Sequence, residues 1–135
     1  MLRKTIVYAS VSGFLAVVLG AFGAHGLTKI VGEKELLIWN KAVLYQMIHT
    51  FAVLFIGLAS KLDMNKLLNA AFKLFMFGIL FFSGSLYFIV AKPFLGIEGL
   101  PWVGIITPMG GLLWMAAWVL LGLSQFKGVE NSEAK

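Results

Sequence analysis

The residues best equipped for chemistry lie inside apolar runs. Tyr45, Gln46, His49 and Thr50 fall within one such run. Helical spacings of three and four place Gln46, His49 and Thr50 on a common face, with Tyr45 one turn before His49. Histidine titrates near neutral pH and can carry a proton or ligate a metal. Ser83 and Tyr87, four apart, share a face of a later run, and Ser85, Thr107 and His25 complete the polar set. Ser83 or Ser85 could be paired on paper with His49 as nucleophile and base. No carboxylate in any apolar run could orient that base, and no elbow or oxyanion motif accompanies the serines, so no catalytic residue is assigned. Two histidines and no cysteine leave no plausible metal set, and no glycine pattern follows a strand, so neither metal nor cofactor is expected. The simplest expectation for His49 is an interhelical hydrogen bond; a proton-coupled or ligand-binding role stands second.

Those residues must be positioned by membrane helices. Of 135 residues, 60% are hydrophobic and only 13% charged, against about 25% charged in a soluble domain. So small a soluble particle could not bury that much apolar surface. The net charge of +5 does not point to nucleic acid, because the basic residues flank apolar runs and do not gather on one face. Four runs, roughly 5–24, 42–60, 67–91 and 102–123, approach the ~20 residues that cross a ~30 Å hydrocarbon layer as a helix. They are too long and too evenly apolar for barrel strands. Arg3, Lys4 and the run ending Ala21-Phe22-Gly23-Ala24 resemble a signal peptide, yet the length of the run predicts a first membrane helix.

The expected fold is therefore all-α: an integral membrane four-helix bundle with cytoplasmic N- and C-termini. A single domain over 1–127 would hold helices near 5–24, 36–60, 67–91 and 102–124, before a polar, frayed tail at 128–135. The second helix should begin near the headgroups, with Trp39 at the interface. The short link Lys61–Lys66 implies an antiparallel hairpin. Pro93, Gly96, Gly99 and Pro101 should end the third helix. Thr107 as N-cap and Pro108 at the first helical position should start the fourth, after a non-helical approach at 104–106. With the N-terminus inside, Arg3, Lys4, Lys61, Lys66, Lys73, Lys127 and Lys135 lie inside, and Lys29, Lys34, Lys41 and Lys92 outside, which favours that orientation. Small residues let membrane helices approach. Ser12, Ala16, Gly20 and Ala24, with Ala9 and Gly13 beside them, should form a packing stripe on helix one. Gly110 and Gly111, with Ala116, Ala117 and Gly122, should do so on helix four, within the chain or between copies.

Four segments carry a resemblance: Gly20-Ala21-Phe22-Gly23-Ala24-His25-Gly26-Leu27, Ala42-Val43-Leu44-Tyr45-Gln46-Met47-Ile48-His49, Phe82-Ser83-Gly84-Ser85-Leu86-Tyr87 and Ile106-Thr107-Pro108-Met109-Gly110-Gly111. In this order they resemble the small bacterial membrane proteins catalogued as domain of unknown function four-two-three, the YwdK-like family, which has eukaryotic small transmembrane relatives. The resemblance covers nearly the whole chain. It implies four helices in a bacterial cytoplasmic membrane and brings no activity, substrate or cofactor. Its motif residues fall on His25, Tyr45, Gln46, His49, Ser83, Ser85, Tyr87, Thr107 and Pro108. That family often carries an acidic residue at the position of Asn40 and a basic one at that of Leu44, so an ion relay built on those charges is expected to be absent or altered here. The expected function is a non-catalytic membrane protein that forms a homo-oligomer and binds lipid or a membrane partner, with no nucleic acid. A small channel or transporter using the polar face around His49 and the broken entry at Thr107-Pro108 is the alternative, and a lipid-acting enzyme the third reading.

Overall fold

Apolar runs in lipid become helices because every backbone polar group must be satisfied within the segment. The structure, a computed structural model, describes residues 2–60, 65–97 and 99–133, with side chains over 3–124 of these. They form α1 (Leu2–His25), α2 (Glu33–Ala59), α3 (Lys66–Gly78), α4 (Gly84–Ala91) and α5 (Val103–Glu133). A single π-helical turn, Ile79–Ser83, joins α3 to α4, so the two make one continuous third span; 3-10 turns occupy Leu27–Lys29 and Lys92–Leu95. The four stretches Arg3–Lys29, Glu33–Ala59, Lys66–Leu95 and Val103–Ser124 are each long and apolar enough to cross a membrane. There are no strands among the described residues. The hairpin link at 61–64 and the end of the tail at 134–135 lie outside the described residues, and the helical backbone of α5 runs through the segment expected to fray, to Glu133.

α1 packs chiefly on α2 and α3 on α5, while the π turn and α4 lie between α2 and α5. The core joins Val53 and Ile56 of α2 with Leu68, Ala71 and Phe75 of α3 and Trp114 and Ala117 of α5. Outward, Phe14, Phe51, Phe55, Leu80, Leu112 and Val119 are exposed, the arrangement expected where lipid replaces water as solvent.

The small-residue stripe of α1 is used inside the chain. Thr5, Ala9, Ser12 and Ala16 are buried, and added Cβ atoms at Gly13 and Gly20 would stand 3.6 Å from Thr50 Cγ2 and 3.3 Å from Val43 Cγ1 of α2. Ala24 leaves the stripe and is exposed, because steps of four advance about 40° each around a helix of 3.6 residues per turn. Trp39 turns inward and packs within the bundle. It is buried, its Nε1 donates to the Leu19 carbonyl at 2.8 Å, and it occupies the space that a Cβ on Gly23 would fill.

The start of α5 also differs from expectation. The amides of Val103, Gly104 and Ile105 bond back to the carbonyls of Leu100, Pro101 and Trp102, so the helix begins at Val103, and Pro108 stands inside it. Proline removes one donor; in this case it is the one the Gly104 carbonyl would have used. Gly96 and Gly99, with φ of 65° and 73°, make the left-handed turns that end the third span as expected. At its other end, the Asn65 side chain caps α3 by accepting from the Leu68 amide at 2.9 Å and ties it to α5 by donating to the Ser124 carbonyl at 3.0 Å.

Candidate functional site: a polar chain and an aromatic groove on α2

Residues 49 and 50 are neighbours, so their side chains leave α2 about 100° apart. Gln46, His49 and Thr50 accordingly divide between two sides of the helix. Thr50 meets Ser12 of α1, hydroxyl to hydroxyl, at 2.6 Å. Gln46 donates from Nε2 to the Ser12 carbonyl at 2.9 Å. Its Oε1 accepts from the Tyr87 hydroxyl of α4 at 2.9 Å. Thr50, Ser12, Gln46 and Tyr87 therefore form one hydrogen-bonded chain binding α1, α2 and α4, with the amide of Gln46 engaged at both ends. Each unpaired polar group in hydrocarbon is costly, and this chain removes that cost by pairing the groups with one another.

A second pair joins α4 to α5. Ser85 donates to the Phe82 carbonyl at 2.9 Å, which commits its only proton. Thr107 is therefore the donor in the 2.6 Å bond between the Ser85 and Thr107 hydroxyls. Thr107 acts as a cross-link between helices and not as an N-cap. Ser83 lies in the π turn, 1% exposed, and its hydroxyl is a buried polar atom without a hydrogen-bond partner among the described residues. His25 stands exposed at the end of α1, away from both groups.

His49 faces the other way, toward α5. Its ring lies 3.6 Å from that of Trp114 with the planes only 3° apart. A carbonyl can only accept, so the 2.7 Å contact between His49 Nδ1 and the Tyr45 carbonyl makes Nδ1 the protonated nitrogen. In the neutral ring Nε2 is then an acceptor, and it has no hydrogen-bond partner among the described residues. Tyr45 stacks on the same indole, 5.7 Å away at 13°. Trp114 is held by its own Nε1, which donates to the Phe75 carbonyl at 3.3 Å, and it lies over Gly78, where any Cβ would meet the indole. Around these rings a groove of about 560 Å³ opens between α2 and α5, walled by Phe82, Leu112, Met115 and Trp118. Nothing in the arrangement resembles a catalytic triad: His49 makes no hydrogen bond to either serine, and no group of three or more metal-ligating side chains occurs among the described residues.

Trp114 and Trp118 are absent from the expected site, although a mid-span tryptophan such as Trp114, whose N–H needs a partner, was a usable signal. Gly110 lies at a close contact: a Cβ there would strike the backbone of Phe82 in the π turn. Gly111 is looser, its added Cβ 3.9 Å from the Phe82 ring, while Ala116 and Gly122 face outward and only Ala117 is buried.

Four apolar helices with internally paired polar groups define a small polytopic membrane protein. Residues 19–111 match the family model described as "Protein of unknown function (DUF423)". A UPF0382 membrane protein of Staphylococcus epidermidis is 41% identical over 126 residues, 93% of this chain and 98% of that protein. One from Haemophilus influenzae is 40% identical over 127 residues, covering 94% and 97%. YwdK of Bacillus subtilis, also described as a UPF0382 membrane protein, is 35% identical over 127 residues, covering 93% and 98%. The chain belongs to this membrane protein family of unknown function. No solved structure matches it.

Proposed function

We propose that the protein is a non-catalytic component of the bacterial cytoplasmic membrane, oriented with both termini inside. Its α2–α5 groove takes up a hydroxyl-bearing membrane lipid. The observation that carries this reading is the unpartnered Nε2 acceptor of His49 on the wall of an otherwise apolar, aromatic-lined groove. A lipid hydroxyl supplies the missing donor, and the rings of Tyr45, Trp114 and Trp118 offer flat apolar contact. Self-association is a second element of the proposal. The α1 stripe is consumed within the chain, so copies would have to meet through outer faces such as that carrying Ala116 and Gly122.

The polar residues named for a channel favour a structural role instead. Gln46, Thr50, Ser12 and Tyr87 bond to one another, and the helix through Thr107-Pro108 is unbroken. Native mass spectrometry of protein released in mild detergent tests the reading and reads copy number at the same time. The wild type should carry a co-purified lipid that the His49→Phe variant loses while keeping its helical circular dichroism. Equal lipid occupancy in both would overturn the groove assignment. Ion or solute flux into liposomes that disappears with His49→Ala would restore the channel.

A further inference from the structure

We infer a second, separate lipid site: an anionic phospholipid sits on the face formed by α1 and α3, in the leaflet that the N-terminus faces. Tyr8 of α1 and Phe72 of α3 meet there with ring centroids 5.9 Å apart. On either side of this contact lie two shallow hollows that share Tyr8. One of about 310 Å³ is bounded by Arg3, Lys4 and Val7. The other, about 190 Å³, is bounded by Phe72, Lys73, Met76 and Phe77. One hollow carries Arg3 and Lys4 and the other Lys73, and Val7, Tyr8, Met76 and Phe77 line the two with apolar surface.

Charge and depth specify the occupant. Lys73 lies seven residues beyond Lys66, about 10 Å further along the helix, where a bare ammonium is costly in hydrocarbon. Side chains on a helix lean toward its N-terminus, so Lys73 extends toward the end of the bundle where Arg3 and Lys4 stand. Neither α1 nor α3 contains an acidic residue, and Arg3, Lys4 and Lys73 are all exposed with no ion pair among the described residues. Three cations without an ion pair among the described residues, set around two adjoining hollows, call for a phosphate. The floor of Val7, Tyr8, Met76 and Phe77 calls for an acyl chain attached to it, since a free phosphate would leave those side chains uncovered.

The site is independent of His49 and is tested without reference to it. Phosphatidylglycerol and phosphatidylcholine are titrated into the delipidated full chain in mild detergent, and adducts are counted by native mass spectrometry. The wild type should bind one phosphatidylglycerol in preference to phosphatidylcholine, with the preference weakening as salt is raised. Each charge removed should lower the affinity about fivefold, so Lys73→Gln should do so once and the Arg3→Gln, Lys4→Gln, Lys73→Gln triple variant most. Lys73→Arg should retain binding, and His49→Phe should leave it unchanged. No preference between the two lipids in the wild type would overturn the inference, a result that needs no variant to fold. Displacement of the lipid by millimolar inorganic phosphate would reduce the site to a simple anion site and overturn it equally.

Discussion

The α1–α2 contact and the third-span–α5 contact solve the same problem with different materials. At α1–α2, small side chains bring the backbones together, and the interface is finished by hydroxyls and the Gln46 amide. Against α5, glycines make room for a ring and for main chain: Gly78 receives the Trp114 indole, and Gly110 receives the backbone and Cβ of Phe82. Lipid provides no hydrophobic drive between helices, so both contacts rely on close packing. The first tolerates a small adjustment at Gly13, whose added Cβ would meet Thr50 Cγ2 at an ordinary 3.6 Å, although a Cβ at Gly23 would clash with the Trp39 indole. The second does not, because the atoms opposite its glycines are backbone and a ring wedged in place.

The sharpest break in that contrast comes from Trp114→Ala, which empties the space between α2, α3 and α5. A loss of about 3–5 kcal/mol is expected, read as the midpoint of unfolding in a sodium dodecyl sulfate titration; a shift no larger than that of an exposed Trp102→Ala control would contradict the packing described. Next stands the same substitution made in both regions. Gly110→Ala should cost about 1–3 kcal/mol, because the Cβ meets the Phe82 backbone. Gly13→Ala should be neutral or stabilise by up to about 1 kcal/mol, since its Cβ would sit 3.6 Å from Thr50 Cγ2. Thermal melts of the pair in one detergent would settle this, and equal losses would erase the distinction between the interfaces. Gln46→Leu should cost about 1–2 kcal/mol by stranding the Tyr87 hydroxyl, and amide exchange should show α4 loosening from α2. The smallest effect belongs to Thr50→Val, about 0.6 kcal/mol for one hydrogen bond between membrane helices, measured by a double-mutant cycle with Ser12→Ala. A coupling near zero would mean that the 2.6 Å contact contributes nothing.

How much of this could be read in advance depended on whether one helix or two decided it. Apolar run length is a property of a single segment, and it placed the four spans. The α1 stripe was legible for the same reason, down to Ser12 and Ala16, as was the close approach at Gly110. The division of the α2 polar residues was not. Gln46, His49 and Thr50 lie close enough to share a face by spacing alone, but α2 has neighbours on both sides, and which neighbour each residue meets depends on its rotation in the bundle. His49 thus finds Trp114, sixty-five positions away, and not a helix-three hydrogen bond. Thr107-Pro108 reads locally as a helix start, yet the turn at 100–102 had already supplied the carbonyls that begin α5. The π turn has no sequence signature of its own, and Ser83 inside it could be named but not placed.

That turn has a consequence for inheritance. A π turn holds one residue more than the α-helix it interrupts, and each residue is worth about 100° of rotation. Removing a single codon between Ile79 and Ser83 would leave the composition and length of the third span almost unaltered. It would relax the π turn to an α turn and leave α4 near its present rotation, whereas the same deletion elsewhere in the span would rotate one part against the other by about 100°, threatening the Tyr87–Gln46 and Ser85–Thr107 bonds in one event. Within this span, the π turn is the place where a change of length by one residue leaves both cross-links in register.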